Sequence, residues 1–155
     1  MSRNFLMFAL FIIIIGAIAF FAFRSNSLNF GKKATINGHA ITLEIADSPA
    51  EQIKGLSNRN SLPENNGMLF IFGKSGTYPF WMKDMHFPID IIFLQDNKVI
   101  TIYENVPAFN TENNKKVQNL TLYSPKSPVN KVLELNAGKA KRLSIKEGDI
   151  LKISL

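Results

Sequence analysis

The densest set of chemically capable side chains is Phe80-Trp81-Met82-Lys83-Asp84-Met85-His86-Phe87-Pro88-Ile89-Asp90-Ile91-Ile92-Phe93, which holds the only tryptophan, two of five methionines and one of two histidines. Its two carboxylates, Asp84 and Asp90, have the composition of a glycosidase pair, which works when the groups stand ~5 to 9 Å apart across a cleft. Lys83 beside Asp84 offers the plainer alternative of a salt bridge. Trp81 with Tyr78 and Phe80 reads either as a stacking platform for a ring-shaped ligand or as part of a core rich in the 13 phenylalanines. Met82, Met85 and His86 add a third chemistry, because thioether and imidazole ligands suit Cu(I) or Ag(I). Positions 82 and 85 face opposite ways on a regular strand, so that site requires a turn at Lys83-Asp84. The alternative is methionine as core filler.

Asp90 shares a strand face with Ile92 and Leu94, so its carboxylate points where apolar side chains point. A buried carboxylate must be paired or its pKa rises. Arg59, Lys83 or a set of backbone donors would supply the pairing, and a raised-pKa acid in a pocket is the competing reading. Arg59 itself reads as a bidentate clamp for a ligand carboxylate or phosphate, or as an internal partner of Glu134 or Asp90. The candidate ligand-binding residues are therefore Arg59, Trp81, Lys83, Asp84 and Asp90.

Other chemistries find no support. Without cysteine there is no thiol nucleophile, disulfide, iron–sulfur cluster or thiolate zinc site. His39 and His86 are far apart in the chain and no third histidine exists, which argues against a histidine zinc centre. No Gly-x-Ser-x-Gly elbow and no phosphate-cradling glycine loop occurs. No catalytic residue is assigned, and neither a metal nor a cofactor is expected.

The elements that must position these groups follow from local patterns. Asn37-Gly38 between two alternating apolar stretches predicts a hairpin with a type I′ turn. Ser48-Pro49-Ala50-Glu51 is a capping box with proline at the first helical position, and Gly55 ends the short helix it starts. Short runs at 67–72, 80–83, 87–94 and 98–104, rich in β-branched and aromatic residues, predict strands. A long polar stretch lies between Pro107 and Pro128, followed within it by a strand at 120–123. Val132-Leu133-Glu134-Leu135, a helical turn around Ala137 to Leu143 and a last strand at 150–154 complete the chain. The expected class is mainly β: an antiparallel β-sandwich or barrel, jelly-roll-like, with one or two short helices, preceded by a single transmembrane helix.

That helix is Phe5 to Phe23, nineteen uncharged and almost wholly apolar residues. At 1.5 Å per residue it is roughly 28 Å long, enough for a ~30 Å hydrocarbon core. A cleaved secretory signal is the competing reading, but Phe23 and Arg24 stand where a signal peptidase wants small residues. The expected organisation is a short head (1–4), a membrane anchor (5–23), a linker (24–33) and one β-sandwich domain (34–155). Arg3 before the span is balanced by Arg24, Lys32 and Lys33 after it, so charge alone does not choose a side. Large carboxy-terminal domains translocate regardless of flanking charge, and the domain is expected at the cell membrane, facing outside the cytoplasm. Without Arg3 and Arg24 the net charge of +6 becomes +4, a mild excess, and Lys139-Ala140-Lys141-Arg142-Leu143-Ser144-Ile145-Lys146 reads as a solvated basic face or a contact for anionic headgroups or acidic wall polymers. Nucleic acid is not an expected partner.

The segment from Phe80 to Phe93, together with Gly55-Leu56-Ser57-Asn58-Arg59, Leu62-Pro63, Gly67-Met68-Leu69-Phe70-Ile71-Phe72, Val132-Leu133-Glu134-Leu135-Asn136-Ala137-Gly138 and Gly148-Asp149, resembles the domain-of-unknown-function 192 family. The family consists of exported or membrane-anchored prokaryotic proteins, and the resemblance runs from about residue 34 to 154. It implies a compact, mostly β domain of jelly-roll-like sandwich type with no settled activity. The family pattern usually has Asn where this chain has Asp84.

The functional expectation is a membrane-tethered binding module for a small molecule or envelope component. Three alternatives stay open: an envelope hydrolase using Asp84 and Asp90, an assembly partner in a membrane complex, and Cu(I)/Ag(I) binding through Met82, Met85 and His86.

Overall fold

The computed structural model describes residues 31–108 and 121–154. The expected head and anchor, the linker up to residue 30 and Leu120 of the strand expected at 120–123 lie outside the described residues. Among the described residues no helix is long and apolar enough to cross a membrane. The described residues form a mainly β unit of seven strands and two short helices.

The chain opens with the hairpin β1 (Lys32–Ile36) and β2 (His39–Ala46), so Lys32 and Lys33 belong to the sheet rather than to a linker. Asn37 and Gly38 take φ values of 50° and 80°, the left-handed pair that a type I′ turn requires. The helix α1 (Pro49–Lys54) has the complete capping box: Ser48 Oγ accepts from the Glu51 N–H, and Glu51 returns a bond to the Ser48 N–H. Then follow β3 (Asn66–Gly76), β4 (Ile89–Gln95), β5 (Lys98–Val106), β6 (Val129–Asn136), α2 (Lys139–Arg142) and β7 (Lys152–Ile153).

All strands join one sheet in the order β5-β4-β6-β3-β2-β1-β7. A sandwich of two sheets is therefore replaced by one curled, half-barrel sheet. Its edges approach each other: Val99 donates to the Asp149 carbonyl at 2.9 Å, and Gly148 donates to the Val99 carbonyl at 2.8 Å. Nor is the pairing wholly antiparallel, because β2 and β3 run parallel, in register from Thr42 with Asn66 to Ala46 with Phe70. Parallel neighbours need a crossover, and the segment carrying α1 provides it.

The central strands β3, β4 and β6 are buried on both faces, which explains their nearly continuous apolar runs. On one face Leu43, Leu69, Ile92, Leu133 and Leu135 pack with Ala140 of α2 and with Ile145. On the other, Met68, Phe70, Ile91, Phe93 and Val132 are covered by Leu56, Leu62, Met82 and Met85. The segment expected as a strand at 80–83 is instead a single bridge, Phe80 to Tyr123, followed by a turn.

Candidate functional site

Paired positions across the sheet place side chains in rows on one face. Glu44 of β2 pairs with Met68 of β3, Met68 with Glu134 of β6, and Glu134 with Ile91 of β4. Over this row lies a cavity of about 340 Å³ whose lining includes Glu134 and five aromatic side chains: Phe70, Phe72, Tyr78, Phe80 and Trp81. Residues of α1 line it as well, among them Gln52, Ile53 and Lys54.

The aromatic wall is built from interlocked rings. Phe72 and Tyr78 stack at 3.8 Å between centroids with planes 8° apart, and Phe80 meets Phe70 edge-on at 4.9 Å. Phe80 continues the contact to Phe93 at 5.8 Å, so the wall is anchored in the core of the sheet. Such pairs add ~0.5 to 1.5 kcal/mol each beyond their buried area. Trp81, 54 % exposed, and Ile53, 84 % exposed, are large apolar residues left open to solvent on the lining. Tyr78, Phe80 and Trp81 thus line one cavity, and Trp81 is not a core residue.

Glu134 is the polar group of this lining that lacks a partner. It is 5 % exposed, and its Oε2 has no hydrogen-bond partner among the described residues. Burial pushes the carboxyl from its ordinary 4.5 up to about 8, against the opposing pull of the nearby Arg59 charge. At neutral pH it is therefore mostly a neutral acid.

Arg59 does not pair with Glu134 or Asp90. Its guanidinium makes a two-pronged bridge to Glu44, Nη1 to Oε1 at 2.9 Å and Nη2 to Oε2 at 2.8 Å. Those bonds hold the guanidinium proton more firmly than usual. With its fork occupied by Glu44, Arg59 reaches Glu134 only through space.

Asp90 is wholly buried on the opposite face of the sheet. Its Oδ1 accepts from the N–H groups of Asn105 at 2.8 Å and Gly138 at 2.9 Å, and its Oδ2 accepts from Ala140 at 2.7 Å. The backbone-donor alternative is the one realised. Gly138, the N-cap of α2, has no side chain to cap with, and Asp90 serves in its place. Asp90 and Asp84 do not line the cavity, which removes the geometric basis for a carboxylate pair acting on a shared substrate there.

Lys83 and Asp84 are the central residues of a turn closed by the Met85 N–H on the Met82 carbonyl at 3.2 Å. Lys83 is exposed, and Asp84 sits at φ 57°, a left-handed conformation that Asn and Asp tolerate better than most residues. Backbone geometry alone accounts for an Asn-or-Asp position there. The turn that a soft-metal site needed is present, but it buries Met82 and Met85, each 4 % exposed, while His86 stays exposed beside Asn60 Oδ1 at 3.3 Å. The two thioethers act as core filler under the aromatic wall. The basic run is likewise divided: Lys139 is buried with its ammonium on the Glu64 carbonyl, and Arg142 pairs with Glu64 Oε1 at 2.8 Å.

Of the five residues expected at the site, only Trp81 lines the cavity. Glu134 was considered only as a partner of Arg59. The signal that flagged Asp90, a carboxylate among apolar neighbours on a strand, is equally present in Val132-Leu133-Glu134-Leu135.

Fold and cavity together describe a small domain built on one curled mixed sheet, with an aromatic-walled hollow over a buried acid. Residues 32–153 match the DUF192 family, described as Uncharacterized ACR. The chain belongs to that family. A protein of unknown function from Novosphingobium aromaticivorans DSM 12444 is 34 % identical over 77 % of this chain and 83 % of its own, with a TM-score of 0.68. A proposed transcription regulator from Sinorhizobium meliloti 1021 is 31 % identical over 82 % of this chain and 97 % of its own, with a TM-score of 0.69. No functionally curated protein matches the chain.

Proposed function

We propose that the domain is a binding module whose cavity over Glu134 takes a small molecule, carried outside the cytoplasm on the apolar segment Phe5 to Phe23 as a membrane tether. The observation that supports this most is a deeply buried carboxyl without a partner in a hollow otherwise walled by rings. Family-motif residues elsewhere have structural duties. Asn136 Nδ2 donates to the Leu62 carbonyl at 2.9 Å, Asp149 Oδ2 accepts from Asn37 and Lys146 at 2.8 Å each, and Asp90 caps α2. Glu134 has no such duty. Pockets that hold small ligands combine apolar walls with a few placed polar groups, and this one follows that pattern.

Trp81 is the only tryptophan, so its fluorescence reports on the cavity directly. A panel of neutral rings, organic acids, alkylammonium ions and sugars should include a compound that shifts that fluorescence and raises thermal stability. At ~100 times its Kd a ligand adds ~2.7 kcal/mol. Replacement of Leu56, on the cavity lining, by the bulkier Phe should cancel the stabilisation and keep Trp81 as the single reporter. If no compound moves either signal, the small-molecule reading is wrong. Duplex DNA is expected to leave both signals unchanged, and salt-sensitive DNA binding would favour instead the role named for the Sinorhizobium relative. Protease accessibility of the domain in intact cells tests the outward tether.

A further inference from the structure

We infer that the ligand of this cavity is a small organic cation, an alkylammonium or methylated amine, held between the Glu134 carboxylate and the aromatic ring faces. That ligand class rests on the cavity being a binding site at all.

Ring faces carry negative potential, and a cation placed over them is attracted by the quadrupole. The cavity offers several such rings, with Trp81, Tyr78 and Phe80 contributed by one continuous segment. Once ionised, Glu134 contributes the same sign from below. An anion would meet both unfavourably, and a neutral ligand would use only the carboxyl O–H. A cation uses the rings and the carboxylate together.

The other charges around Glu134 leave room for it. Arg59, from the segment after α1, is held in its two-pronged bridge to Glu44 of β2. Lys54, at the end of α1, is exposed on the lining. The sheet neighbours of Glu134, Met68 on β3 and Ile91 on β4, carry no charge. An ionised carboxylate in this position is costly without a counter-charge, and burial accordingly keeps it protonated up to about pH 8. A bound cation supplies the missing charge, and the carboxyl proton leaves to solvent as the ligand enters.

Choline and its uncharged carbon isostere, 3,3-dimethylbutan-1-ol, separate charge from shape. Choline has no ammonium proton to lose, so a pH dependence near neutrality belongs to the protein. By Trp81 fluorescence and calorimetry on the 155-residue chain, choline should bind at least about 10-fold tighter than the isostere at about pH 9. Its affinity should fall on the order of 10-fold for each pH unit below 8. Glu134→Gln should weaken choline at about pH 9 and flatten its pH profile. The isostere comparison and the wild-type pH profile decide the matter even if that variant folds poorly. Equal binding of the two compounds, or choline binding that ignores pH between about 6 and 9, overturns the cation and leaves the binding module standing. Silence toward both, with a response to a neutral ring, an organic acid or a sugar of the panel, overturns it in the same way, whereas a response to another alkylammonium ion sustains it. Silence toward the whole panel removes the binding module as well.

Discussion

Exchange of Glu134 for Gln removes a charge that the fold resists and keeps the shape of the side chain. Near pH 5 both side chains are neutral, and the two proteins should agree within about 1 kcal/mol. Between 4.5 and about 8 the unfolded carboxyl is ionised while the folded one keeps its proton. The folded state then binds one proton more than the unfolded state, so wild-type stability falls by ~1.4 kcal/mol per pH unit across that window. The loss reaches roughly 4 to 5 kcal/mol and is complete above the folded pKa, whereas Gln at this position loses nothing. Urea unfolding of both proteins at pH values from about 5 to 9 measures it, because every other titrating group contributes equally and drops out of the difference. The variant should become the more stable protein as pH rises. A difference that stays constant across the range would show that water reaches the carboxyl, and the account of the buried acid would fail.

Asp90→Asn replaces an acceptor oxygen by an amide among three backbone donors, and should cost about 3 kcal/mol in urea unfolding without altering the Trp81 fluorescence response. Gly55→Ala should destabilise by about 1 to 3 kcal/mol, since Gly55 sits at φ 47° and a Cβ there would lie 3.1 Å from the Phe70 ring; a neutral result would show that the turn relaxes freely. Arg59→Gln removes the charge that lowers the Glu134 pKa, so the loss of stability, which still begins near 4.5, should run on to higher pH before it levels off; an unmoved end point would deny the through-space coupling. Met82→Ala should cost about 2 to 5 kcal/mol as a core truncation, and Ag(I) should give the parent no added stability.

Local chemistry made much of this fold readable in advance. The Asn37-Gly38 turn, the Ser48 to Glu51 capping box and the buried alternation around Asp90 each follow from a few residues acting on their own backbone. Strand direction was harder, because alternation is the same for parallel and antiparallel neighbours. The cue was a helix between β2 and β3, which only a crossover needs. The cavity was hidden for a related reason. Lys83 and Asp84 stand out by composition and are turn residues, whereas the buried acid of the cavity lies about fifty residues further along the chain, on β6. Glu134 joins Trp81 only when β6 is placed between β3 and β4, a sheet order that no local pattern encodes.

The helix α1 buries none of its side chains, and Gln52 ties it to the sheet through the Ile71 carbonyl at 2.8 Å. A wall so lightly committed to the core can change its sequence at little thermodynamic penalty. Exchange of Ile53 and Lys54, which line the cavity and neither cap the helix nor bond to the sheet, would therefore alter the girth of an admitted guest while the scaffold and Glu134 stay as they are. The selectivity of the proposed site would then be written on its thinnest partition.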